Sequence, residues 1–194
     1  MISLLTLASL TLSTAGIAAA APDVFTISAM YTGSDGKRVT LPTWYGDGHM
    51  YVGSSVPTGV QTAFNYTANT TRSDLLYIHA AEPLLPNASS ALDLPDPTFL
   101  ALNAGSSSSG SPLEFRHDAI GLSDDWILFF SRYGSLILAQ TPSGQLLSSF
   151  YLTPSPSASD GGDDDGASII TWGKNAAATS AGTTQQLVSL IAVS

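Results

Sequence analysis

Apolar and polar residues alternate with a period of two along most of this chain, in short runs closed by glycine, proline and serine. In VFTISAMY, Phe25, Ile27, Ala29 and Tyr31 fall on one side and Thr26, Ser28 and Met30 on the other, the mark of a strand with one buried face. RVTL follows after GSDGK, and TWYGDGHMYVG sets Trp44 and Tyr45 against Met50, Tyr51 and Val52 across Asp47-Gly48. Asp35-Gly36 and Asp47-Gly48 are both hairpin signals, because tight hairpin turns need positive φ and glycine adopts it without steric cost. VQTAFNYT predicts a strand with Val60, Thr62, Phe64 and Tyr66 opposite Gln61, Ala63 and Asn65, so that Asn65 points outward.

Further strands are expected in LLYIHA (Leu75 to Ala80), TFLAL (Thr98 to Leu102), LEFRH (Leu113 to His117), LLSSFYLT (Leu146 to Thr153), SIITWG (Ser168 to Gly173) and QQLVSLIAV (Gln185 to Val193). The most apolar stretch, Asp125 to Gln140, reads as two core strands joined at Arg132 to Gly134. A buried helix is the alternative there, since periodicity alone does not separate the two. Trp126 and Trp172 sit in strongly apolar runs and are expected in the core. About ten short strands with turn signals between them predict an all-β, single-domain antiparallel sandwich or barrel. At 194 residues the chain fits one core.

Charged residues make up 11% of the chain, against about 25% in an average soluble protein. The polar surface must therefore be built from hydroxyls and amides. The net charge is −9, and the six cations Lys37, Arg38, Arg72, Arg116, Arg132 and Lys174 are scattered. That distribution disfavours nucleic acid and anionic membranes as partners. There is no cysteine, which removes disulfides, zinc thiolates and a thiol nucleophile.

Residues 1–20, MISLLTLASLTLSTAGIAAA, carry no charge, are apolar from Leu4 to Leu12 and end in small residues before Ala21-Pro22. This is the form of a secretory signal cleaved after Ala20, leaving residues 21–194 as a secreted β-domain with no membrane association. A retained membrane anchor is the alternative, weakened by the small polar residues from Ser13 to Gly16. For an exported chain the sequons Asn65-Tyr66-Thr67, Asn69-Thr70-Thr71 and Asn87-Ala88-Ser89 are candidate glycosylation sites. Within 154–168, Asp160, Asp163, Asp164 and Asp165 stand among glycine and serine. No register of this run supplies the oxygen ligands of a calcium loop at positions 1, 3 and 5, so a hydrated acidic loop is expected and no metal.

Catalytic signatures such as G-x-S-x-G, H-E-x-x-H and the phosphate-binding glycine loop do not occur. His49, His79 and His117 are far apart in sequence and form a site only if folding gathers them. Glycoside hydrolysis needs two facing carboxylates, for which Glu82, Glu114, Asp118 and the Asp124-Asp125 pair are the candidates. Glu82 precedes a proline and is expected in a loop, and Asp124-Asp125 is expected to form a turn before Trp126. No cofactor is expected. Trp44, Tyr45 and Tyr51, clustered around Asp47-Gly48, are candidate ligand-binding residues, since sugars stack on aromatic faces. Packing within the core or across the hairpin is the competing expectation for all three.

The leader ending AAAAP, FTISAMYTGS at Phe25 to Ser34, MYVGSS, YGSLILAQ and SFYLTPS together resemble fungal secreted β-domain proteins of the cell-wall group that includes the PhiA-type proteins. The resemblance implies an extracellular or wall-associated structural protein with no catalytic residues to transfer. The expected function is thus a secreted, N-glycosylated, non-enzymatic protein with cell-wall polysaccharide as its partner class. A carbohydrate-binding module using Trp44, Tyr45 and Tyr51 is the alternative, and a small polysaccharide-cleaving enzyme a third.

Overall fold

The computed structural model describes residues 24–33, 35–70, 75–85, 94–105, 110–154, 166–173 and 186–194. The expected signal at 1–20, the aspartates of the acidic loop and the sequon at Asn87 lie outside them. Among the described residues fourteen strands follow one another: β1 (Val24–Thr32), β2 (Arg38–Gly46), β3 (His49–Val52), β4 (Ala63–Thr70), β5 (Leu76–Pro83), β6 (Phe99–Asn103), β7 (Ser111–Arg116), β8 (Trp126–Ile127), β9 (Phe129–Tyr133), β10 (Leu136–Gln140), β11 (Leu146–Leu147), β12 (Phe150–Pro154), β13 (Ser168–Trp172) and β14 (Gln186–Val193). Every pairing is antiparallel, and the fold is all-β.

The pairings run β1 to β4, β5, β6, β7, β13, β12 and β14, and β14 returns to β1. A ring closed in this way leaves no open edge on those strands. The β2–β3 hairpin is set into the ring, joined to β1 and β4 on one side and to β13 and β7 on the other. The result is a closed ten-stranded antiparallel barrel with additional strands, which decides between barrel and sandwich. Of the additions, β8 pairs with β6, while β9, β10 and β11 build outward from β14.

Alternation in the sequence becomes the inside and outside of the wall. Phe25, Ile27 and Ala29 of β1, Phe64, Tyr66 and Ala68 of β4, Leu113 and Phe115 of β7, and Val188 and Leu190 of β14 all enter one continuous core. Each fully buried side chain of this size contributes about 1.5–3 kcal/mol of apolar transfer free energy. These side chains pack together on the inner face of the barrel wall.

At one junction the wall branches, because β2 leaves β1 and passes to β4. The ladder between β1 and β2 ends at Ser28 opposite Pro42, which has no N–H to give. The buried Thr43 hydroxyl supplies a donor instead, to the Ile27 carbonyl at 2.8 Å. Having spent its one proton there, Thr43 accepts from the Tyr66 hydroxyl at 2.6 Å. Three strands are tied at one buried point.

Several expectations change. The apolar stretch from Asp125 is strand, as read, and what changes is the turn between β9 and β10, which falls at Gly134-Ser135. Trp126 is half-buried instead of core: it caps the Arg116 guanidinium, whose carbon lies 4.5 Å from the ring centroid. Trp172 is buried. RVTL and TWY form the single strand β2, LLSSFYLT divides into β11 and β12, and β4 starts only at Ala63. Glu82 lies in the exposed end of β5 and not in a loop. Asp124 and Asp125 do form a turn, in which Trp126 N–H donates to the Ser123 carbonyl.

Candidate functional site

The β2–β3 hairpin presents a different set of side chains to each side. Tyr45, Met50 and Val52 point into the barrel core, where Tyr45 stacks on Phe64 with centroids 4.3 Å apart. Trp44 and Tyr51 point outward and stack on each other at 4.5 Å and 10°. The sequence candidates Trp44, Tyr45 and Tyr51 therefore share no platform, because neighbouring residues of one strand face opposite ways. All three are buried, Trp44 to 2% exposure, so the expectation of a sugar-stacking aromatic triad is corrected. The competing expectation, cross-strand packing, is what the geometry shows: Trp44 and Tyr51 are register partners.

Gly46 makes the outer stack possible. A Cβ at that position would lie 2.8 Å from ring atoms of both Trp44 and Tyr51, closer than carbon atoms pack. The indole N–H of Trp44 donates to the Gly53 carbonyl at 3.2 Å, fixing the chain that leaves β3. Around this pair Val56, Val60, Leu84, Leu85, Ala167 and Ile169 form a second apolar cluster outside the barrel.

Next to that cluster a cleft of about 410 Å³ opens. Its wall is Pro42, Trp44, Val56 and Leu84, and Ser54 and Asn65 add polar groups. Asp47 holds the loop that supplies Ser54 and Val56 to this lining. Asp47 has φ 43° and Gly48 φ 86°, so the hairpin turn has positive φ at both central positions, as the tightest hairpins require. In that conformation the Asp47 carboxylate accepts from Gln61 N–H at 2.9 Å and Thr62 N–H at 2.8 Å, while its own N–H donates to the Thr62 carbonyl. The loop from Gly53 to Thr62 is pinned at its far end.

The two described sequons differ. Asn65 lies on the outward face of β4 and lines the cleft, with Tyr66 turned inward and Thr67 outward again. Asn69 is 8% exposed, and its side-chain amide donates to His79 Nε2 at 3.0 Å. A sugar on Asn69 would have to replace that bond, so its burial argues against Asn69 as an acceptor and leaves Asn65 as the more accessible of the two.

Folding brings two of the three histidines to one region. A smaller cleft of about 250 Å³ is lined by His79, Asp96 and Thr98 among others. Thr98 donates its proton to the Pro95 carbonyl at 2.6 Å, so the contact of 2.7 Å to His117 is a bond from His117 Nδ1–H to Thr98 Oγ1. His49 stands elsewhere, opposite Glu114 in the β3–β7 pairing. Among the described residues no three His, Cys, Asp or Glu side chains converge as metal ligands. The carboxylates named from sequence are engaged separately: Glu114 with Arg116 at 3.6 Å, and Asp118 with the Ile120 N–H at 2.7 Å.

Sequence reasoning missed the cleft because its wall comes from separated segments, Pro42 and Trp44 of β2, Val56 of a loop and Leu84 after β5, none with a local pattern. Its one local sign is the serine- and glycine-rich GSSVPTG after β3, which marks a loop without saying what it covers. Comparison with protein-family models, with curated proteins and with solved structures gives no match for this chain.

Proposed function

We propose that this protein is a secreted, N-glycosylated, non-enzymatic component of the extracellular matrix or cell wall, with wall polysaccharide as its partner class. The observation that carries this reading is the placement of the Asn65-Tyr66-Thr67 sequon. Its acceptor amide and its threonine lie on the outer face of the barrel, while the residue between them anchors the strand in the core. The charge-free leader and a chain poor in charge but rich in serine and threonine fit the same setting. A cysteine-free barrel closed on itself depends on no redox environment for its stability.

Binding of free polysaccharide by the hairpin aromatics has less support, since Tyr45 faces the core and Trp44 and Tyr51 cover each other. The test is recovery of the protein from the medium of a eukaryotic host. An N-terminus at Ala21 and a hexosamine-bearing peptide containing Asn65 are expected. An intact leader on cytosolic material would refute the reading.

A further inference from the structure

We propose that the cleft beside Asn65 is the seat of that residue's own N-glycan, whose first N-acetylglucosamine folds back onto the barrel against Pro42, Val56 and Leu84, at the rim of the outer aromatic cluster. The proposal rests on the reading of the chain as a secreted glycoprotein and adds where the sugar goes. Three observations carry it. Asn65 is both the more accessible of the two described sequon asparagines and part of the cleft lining, so the attachment point is inside the site. The volume of about 410 Å³ lies in the 300–1,000 Å³ range of small-ligand sites and admits a pyranose ring with its acetamido group. The lining is also of the right kind, with the accessible Pro42, Val56 and Leu84 for the apolar ring face and the acetyl methyl, and Ser54 beside them for hydroxyls.

Attachment forms a bond from Asn65 Nδ2 to the anomeric carbon and loses one amide proton. The donor is a lipid diphosphate-linked oligosaccharide of the secretory pathway, whose diphosphate leaves with the bonding pair. A tethered sugar then meets the wall at high effective concentration, so even weak contacts are populated. The Asp47 bonds to Gln61 and Thr62 keep the loop that frames the cleft from drifting.

The experiment uses secreted protein carrying Asn87→Gln, trimmed by an endoglycosidase to one N-acetylglucosamine at Asn65, beside Thr67→Ala and Asn65→Gln, which lack the sugar, and Thr67→Ser, which keeps it. The acetyl methyl proton resonance is expected shifted from its free position, with nuclear Overhauser contacts to the methyl groups of Val56 and Leu84. The glycosylated forms are expected to melt roughly 2–4 °C above the two unglycosylated variants. An occupied Asn65 with an unshifted methyl and equal melting temperatures overturns the proposal and leaves the glycoprotein reading intact. An exported chain with Asn65 unoccupied overturns both.

Discussion

The chain contains the dipeptide Asp-Gly at two hairpins, and folding uses it in two different ways. At Asp35-Gly36 the bonds stay within the turn. The Asp35 carboxylate accepts from the N–H of Lys37, two residues on, and Gly33 N–H donates to the Lys37 carbonyl. At Asp47-Gly48 the carboxylate accepts from Gln61 and Thr62, fourteen and fifteen residues away, and so fixes a loop that frames the cleft. The same pair of residues thus makes a local turn in one place and a tertiary anchor in the other. What differs is the neighbouring chain within reach, not the dipeptide.

The largest effect is expected just before the second pair. Gly46→Ala puts a methyl against both rings of the outer stack, which are held by each other and by the Gly53 bond. A loss of about 2–3 kcal/mol, in the range for overpacking, should appear in denaturant midpoints. Gly33→Ala is the matching change near the first pair. Its new methyl meets the Asp35 carboxylate at 3.1 Å, an exposed side chain that can swing away, and little loss is expected. Equal losses at the two sites would break the contrast between an anchored and a local turn.

Asp47→Ala comes next, at about 2 kcal/mol, because two charge-assisted bonds to backbone N–H groups vanish but water reaches the freed donors. Hydrogen exchange at the Gln61 and Thr62 amides should accelerate at least tenfold, and proteolysis should begin in the loop from Gly53 to Thr62. Asp47→Asn keeps one acceptor oxygen and should fall between. Unchanged exchange at both amides would remove the anchor.

Much of the fold was legible and little of the site. Period-two alternation identified β1 and the core face of β4, and it placed Phe25, Ile27, Phe64 and Tyr66 correctly, while β5, β7 and β13 were legible as short strand-like runs between Pro, Ser and Gly. It misplaced Trp126, since an apolar run does not reveal that a cation will pack on the ring from outside. It joined Trp44, Tyr45 and Tyr51 into one candidate by nearness in sequence, although strand geometry alone separates Tyr45 from Trp44. The cleft and the His117–Thr98–Pro95 chain depend on which strands become neighbours around the barrel. That order is set by the whole closed circuit and is written in no single segment.

A smaller effect separates polar anchoring in the core from anchoring in a turn. Tyr66→Phe removes the proton that Thr43 accepts and should cost about 1 kcal/mol at pH 7. Burial lifts the Tyr66 phenol well above its ordinary value, and burial moves Tyr45 in the same direction. The folded chain then keeps protons that the unfolded chain releases near pH 10. Stability is unaffected below that pH and falls above it, by at most about 1.4 kcal/mol per pH unit for each phenol. Tyr66→Phe should flatten that alkaline fall, whereas Asp47→Ala should leave the contribution of Tyr66 to it in place. A slope unchanged in Tyr66→Phe would assign the fall to other groups.

The smallest change is expected at Asp35→Ala, and it completes the comparison. Asp35 also lies 3.4 Å from the Lys37 ammonium, an ion pair that a count of contacts would score in its favour over Asp47. Both side chains are more than half exposed, so water screens the pair and ordering two side chains offsets the attraction. The Lys37 N–H that loses its acceptor is exposed and finds water at once. A loss under about 0.5 kcal/mol is expected, indifferent to added salt within error. A loss matching that of Asp47→Ala, or one abolished by salt, would mean that the first turn is held by its charges, and distance along the chain would no longer distinguish the two aspartates.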